Sequence, residues 1–162
     1  MAFEMNPEWL QRTKQRAKEW RAWARVAPDI CVAAFFSPGF SEDLSSWKLT
    51  LSSSGILIQD IKISRAGNWQ GEQRREERNV GAEFVAQVLK RADELDFWNL
   101  KVESNSSITD TPSLRLAIRH GEKSRVYAPE SVGFHAYEGN ESARRFIELW
   151  DLIHSHAPFP DN

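Results

Sequence analysis

The chain has 162 residues, with 21 Lys and Arg against 23 Asp and Glu, a formal net charge of -2, 41% hydrophobic and 27% charged residues. A chain of that length buries about 68–70% of its unfolded surface, enough for one core, and is read as a single domain over 1–162. The composition excludes a disordered tail, a collagen-like repeat and a Gly/Pro linker; its unusual count is seven Trp beside two Tyr.

Asn6-Pro7-Glu8-Trp9 opens the first predicted element with an N-cap residue, a proline at the first helical position and an acid in the first turn. A helix over about 7–26 follows, ending before Pro28, and is expected to dock on an α+β body over 28–157. At about 100° per residue, Trp9, Trp20 and Trp23 fall within about 60° of one another, and Lys14, Lys18, Arg21 and Arg25 form a stripe nearly opposite. Ile30 to Phe36 reads as a buried strand, broken at Ser37-Pro38-Gly39. Trp47, Leu49 and Leu51 alternate with polar residues, Ser52 to Gly55 turns, and Ile56 to Ile63 returns: a hairpin. Ser64 to Arg78 reads as a polar loop or an extra edge strand anchored by Trp69.

Asn79 is read as the cap of a second helix over about 80–95, with Phe84, Val85, Val88, Leu89, Ala92 and Leu95 on its inner side. Asp96-Phe97-Trp98-Asn99-Leu100 ends it. Thr109-Asp110-Thr111-Pro112 leads into Ser113 to His120, whose Leu114, Leu116 and Ile118 share one face. A turn at Gly121-Glu122-Lys123 and a return through Arg125-Val126-Tyr127 make a second hairpin. Asn140 is read as the cap of a last helix with Ala143, Phe146, Ile147, Trp150 and Ile153 inside. The order lacks βαβ alternation and predicts an α+β fold: a mostly antiparallel sheet of two hairpins plus an extra strand, packed by three helices.

From Trp47 to Ile153 this order, with the aromatic exit Phe97-Trp98 and the Thr109-Asp110-Thr111-Pro112 turn before a strand, resembles a widespread bacterial domain family of unknown function. The resemblance implies a fold. It assigns no activity to any residue.

The opening MAFEMNPEW leads into charged residues, not the apolar stretch of a secretory signal, so a cytoplasmic protein is expected. The longest apolar run, Ile30 to Phe36, falls far short of the about 18–20 residues of a membrane span. Cys31 inside it is read as a buried, inert small hydrophobe. His120, His135, His154 and His156 offer neither HxxxH nor HExxH spacing, so no metal is expected. There is no GxSxG or SxxK, and the Gly67-Asn-Trp-Gln-Gly71 stretch does not fit a phosphate loop, so neither a common hydrolase nor a nucleotide cofactor is expected. His120 is read as a hydrogen-bonded boundary residue and Asp110 as a turn former.

Charge is segregated along the chain: six basic and three acidic residues through position 26, then 15 basic and 20 acidic. The expected function is therefore non-catalytic protein binding, in one form an immunity or antitoxin-like protein whose acidic body neutralises a basic partner. A second expectation is binding of an anionic polymer or surface through Lys14, Lys18, Arg21 and Arg25, although nucleic acid is disfavoured by the overall balance. A third is an enzyme assembled from dispersed residues such as His120 and Asp110. Trp69, in its polar stretch, is the indole expected to face a partner.

Overall fold

The computed structural model describes residues 29–38, 43–65, 68–101, 113–128 and 141–159. The predicted N-terminal helix lies outside the described residues, with Trp9, Lys14, Lys18, Trp20, Arg21, Trp23 and Arg25; so do Asp110, His135 and Asn140.

Six strands form one sheet: β1 (Ile30–Ser37), β2 (Asp43–Ser52), β3 (Ile56–Arg65), β4 (Asn68–Asn79), β5 (Ser113–His120) and β6 (Lys123–Tyr127). Their spatial order is β4-β3-β2-β1-β5-β6, and every neighbouring pair is antiparallel. Two α-helices are described, α1 (Ala82–Glu94) and α2 (Glu141–His154), with a short 3₁₀ segment at Phe97–Asn99. The α+β class is as expected. The arrangement differs: β1 to β4 run as a meander, and the stretch read as a loop or extra strand is a 12-residue edge strand. Its mixed charges hide the strand from a period-two reading, because an edge strand leaves much of both its faces to water.

β1 lies between β2 and β5 and is nearly all apolar because it is buried on both faces, with Val32 and Ala34 on one and Ala33 on the other. Val32 and Ala34 join Leu49, Leu51, Leu57, Ile61, Leu116 and Ile118 on one face, where Phe84, Val85 and Val88 of α1 and Phe146, Leu149 and Ile153 of α2 complete the core. Alternation sends Phe35, Lys48, Asp60 and Arg115 to the opposite face. The register shifts between Ile30 and Val32, a bulge that lets half-buried Cys31 pack against the core as well. Burial pushes its thiol upward in pKa, opposed by the charge of Arg119, which suits an unreactive side chain.

α1 does not begin on Asn79 as expected. Asn79 Oδ1 accepts from Gly81 N–H at 3.0 Å, a local turn, and Gly81 is the residue that caps the helix. Val80 N–H donates to Gly55 C=O at 2.8 Å, tying this entry to the β2–β3 turn. Gly55 has φ 93°, and a Cβ built on it would lie 2.3 Å from the Gly81 carbonyl carbon. Asp96, at φ 51°, reverses the chain after α1, steadied by Asn99 Nδ2 donating to its carboxylate at 2.8 Å.

Two polar side chains fasten the apolar layers. Gln59, fully buried on the core face of β3, donates Nε2 to Phe159 C=O at 2.7 Å and accepts Phe159 N–H on Oε1 at 2.9 Å. It pairs the tail to the sheet as another peptide group would. At the other end Arg125 donates to Phe97 C=O at 2.8 Å and to Leu100 C=O, satisfying carbonyls around the 3₁₀ segment.

Two stability predictions follow from this packing. Gly55→Ala combines positive φ with a backbone clash and is expected to lower unfolding free energy by about 2–4 kcal/mol in a denaturant titration. Gln59→Leu keeps the volume but orphans the Phe159 amide and carbonyl, for an expected loss of about 1–3 kcal/mol; a wild-type midpoint in either variant would refute the corresponding contact.

Candidate functional site

The sheet face opposite the helices is organised in straight rows, because directly paired residues of an antiparallel sheet share a face. One row runs Arg115, Phe35, Lys48, Asp60, Arg75 across β5, β1, β2, β3 and β4. On one side of it lies the row Val126, Ala117, Ala33, Thr50, Ile58 and Glu77, small and apolar except for the exposed acid at its end, in which the two alanines are buried. On its other side stand Ser46, Lys62 and Gln73. At about 4.8 Å per strand the charged row spans about 19 Å.

Between the charged row and the Ser46 row lies an open groove of about 440 Å³, lined by Phe35, Ser46, Lys48, Asp60, Lys62 and Arg75 among others. Its aromatic wall is Phe35, half-buried, with the Arg115 guanidinium carbon 6.0 Å from its ring centroid. Arg75 pairs with Asp60 at 3.6 Å, both largely exposed, so the bond holds geometry more than it stabilises. Lys62 projects from the neighbouring row. Four cations, Lys48, Lys62, Arg75 and Arg115, thus stand round one aromatic ring and one acid. Such a surface can hold a carboxylate-bearing or otherwise anionic group against an apolar floor, with the Ser46 hydroxyl and Gln73 amide as neutral hydrogen-bonding groups.

The sequence missed this groove because its residues come from four strands, and only their register brings them together. Of the residues it singled out, those that are described lie elsewhere. Trp69 lies near the start of β4, in a strand and not a loop. His120 does take a boundary role: its Nδ1 lies 3.1 Å from Asp93 Oδ2 on α1. Asp110, its expected companion, lies outside the described residues. Asp93 also accepts Trp98 Nε1–H at 2.9 Å, with Lys123 Nζ at 3.9 Å and stacked over the Trp98 ring at 5.7 Å. The half-exposed pair ties the β5–β6 hairpin to the end of α1. His154 stacks on Trp47 at 5.4 Å, and His156 Nδ1 meets Ser155 Oγ at 3.0 Å. Among the described residues no group of three or more His, Cys, Asp or Glu is placed to hold a metal ion, and no helix is long and apolar enough to cross a membrane.

No protein-family model matches the chain, and no curated protein is similar to it. The expected likeness to a bacterial family over about 47–153 thus receives no support from either comparison.

The Asp93 contacts give a pH prediction. The Trp98 N–H, with the charges of His120 and Lys123 adding to it and burial opposing, holds the Asp93 carboxyl below the usual carboxylate range. A lowered carboxyl stabilises the fold above the unfolded value of about 4 and loses that contribution as pH falls through the lowered one. Trp98→Phe is expected to move the Asp93 titration upward when its carboxyl carbon is followed by NMR; an unmoved titration would mean that the indole bond does not set it.

Proposed function

We propose that the chain is a non-catalytic protein-binding domain that holds an acidic segment of its partner in the groove beside Phe35. The observation that carries this reading is the cationic lining of that groove, Lys48, Lys62, Arg74 and Arg75 against Asp60. One form of such binding is neutralisation of the partner by covering it, in the manner of immunity and antitoxin proteins; this is a likeness of class only.

The sign of the partner is the point at which the geometry favours a reading other than the acidic body. All 15 basic residues beyond position 26 fall among the described residues, against 14 acids. The remaining acids, Glu42, Glu103, Asp110, Glu130, Glu138 and Asp161, lie outside them. Many of the acids on the helices are already engaged: Arg91 bonds Glu94 and Glu148, and Arg144 and Arg145 bond Glu141. The two helices carry four basic and six acidic residues, whereas the row Arg115, Phe35, Lys48, Asp60, Arg75 on the opposite sheet face has three cations to one acid.

Affinity capture from the native host followed by quantitative binding of the captured partner tests this. Association is expected to weaken with added salt, and Lys62→Glu with Arg75→Glu to raise Kd by about tenfold or more, equivalent to about 1.4 kcal/mol. A partner bound equally well by the double variant and at high salt would overturn the groove as the binding surface.

A further inference from the structure

We propose that β4 pairs with β4 of a second copy of the chain, antiparallel and centred on Arg75, joining two six-stranded sheets into one. This does not rest on the groove reading, although Gln73, Arg74 and Arg75 of β4 also line the groove.

β4 is an edge of the sheet: β3 is the strand paired with it, and no other described strand lies beyond. Which of its backbone groups are spare follows from one bond. Val80 N–H points at Gly55 C=O, and an antiparallel ladder alternates from there. Arg78, Glu76, Arg74 and Glu72 therefore turn their amides and carbonyls to β3, whereas Asn79, Glu77, Arg75 and Gln73 turn theirs outward. A two-fold axis through Arg75 sets outward residues opposite outward residues: Gln73 against Glu77, Arg75 against Arg75, Glu77 against Gln73. That forms about six backbone hydrogen bonds without disturbing the ladder to β3.

Charge identifies the occupant as a copy of the same strand. The core-side residues read Glu72, Arg74, Glu76, Arg78, alternating in sign. In this register Glu72 faces Arg78 and Arg74 faces Glu76, each twice by symmetry. Their exposure suits the role, since Arg74 and Glu76 are 37% and 41% exposed and already bond each other at 3.2 Å within one strand. The one like-charged encounter, Arg75 with Arg75, falls on the other face, where each Arg75 has its own Asp60 and the copy's Glu77 is a diagonal neighbour. Shifting the axis by one residue either way sets Arg against Arg or Glu against Glu on the core side. Charged side chains commonly defend an edge; on β4 they alternate in sign, so that in this register they form a self-complementary ladder.

Sedimentation velocity of the full chain at about 100 μM is expected to show a dimer, which would detect a Kd of that order or tighter. Two charge variants make the test specific. Glu72→Lys with Glu76→Lys presents only cations along the ladder, and Arg74→Glu with Arg78→Glu only acids. Each alone is expected to sediment as a monomer with a wild-type circular dichroism spectrum, and an equimolar mixture is expected to recover the dimer. Gln73→Pro, which removes an outward N–H only, is expected to be monomeric and folded. A monomeric wild type, variants as dimeric as wild type, or a mixture that stays monomeric would each overturn the proposal.

Discussion

The constraint on which the structure depends is that β1 is paired on both sides. A strand flanked by β2 and β5 has its backbone groups paired on both sides, and it must present alternate residues to two faces. Val32 and Ala34 commit one face to the helices. Phe35 is then committed to the other, and the registers to Lys48, Asp60 and Arg115 carry that assignment across the sheet. A one-residue slip in any of these pairings would exchange core for surface along a whole strand. The bulge at Ile30 is tolerated because it falls at the beginning of β1, where Asp29 C=O accepts from Ser53 N–H at 2.8 Å and closes the end of the sheet.

Apolar packing sets the helices on the sheet, and a few buried polar contacts set their positions. The rings of Trp47, Trp150, Phe146 and Tyr127 form a chain with successive centroids 5.2–5.8 Å apart. Stacked rings contribute area with only weak directional preference. Gln59 and Arg125 supply direction. Each reaches backbone groups outside the regular ladders, Gln59 at Phe159 and Arg125 at Leu100 and at Phe97, whose carbonyl also accepts the 3₁₀ bond from Leu100 N–H. The Tyr127 hydroxyl adds a third such contact, to Lys101 C=O at 2.9 Å. These bonds matter because a buried carbonyl without a partner costs more than the bond itself gains.

The helices and five of the six strands are legible in the sequence because each has a periodic apolar face: Phe84, Val85, Val88 and Ala92 on α1, and Leu114, Leu116 and Ile118 on β5. Boundaries are less so. Asn79 has the chemistry of a helix cap, yet its side chain serves Gly81 because the chain must first pass Gly55. β4 is illegible as a definite strand, since Glu72 to Arg78 shows no apolar alternation and the ladder to β3 alone makes it one. Contacts such as Gln59 with Phe159 join residues 100 positions apart, and no local pattern encodes them. The groove is hidden for the same reason, because Phe35, Lys48, Asp60 and Arg75 become one row only when three registers are known.

The molecule's charge is therefore best understood by face and not by sum. A net of -2 over the chain coexists with a helical layer in which acids exceed bases by two, a cationic row on the opposite sheet face and an edge strand of alternating sign. Opposite charges on the helices neutralise each other at short range, as in the Arg91, Glu94 and Glu148 set. On the sheet, strand pitch and register place Lys48, Arg75 and Arg115 in one row with Asp60 among them, and what such a row contributes to association acts at short range, because screening cuts it off beyond a Debye length of about 8 Å.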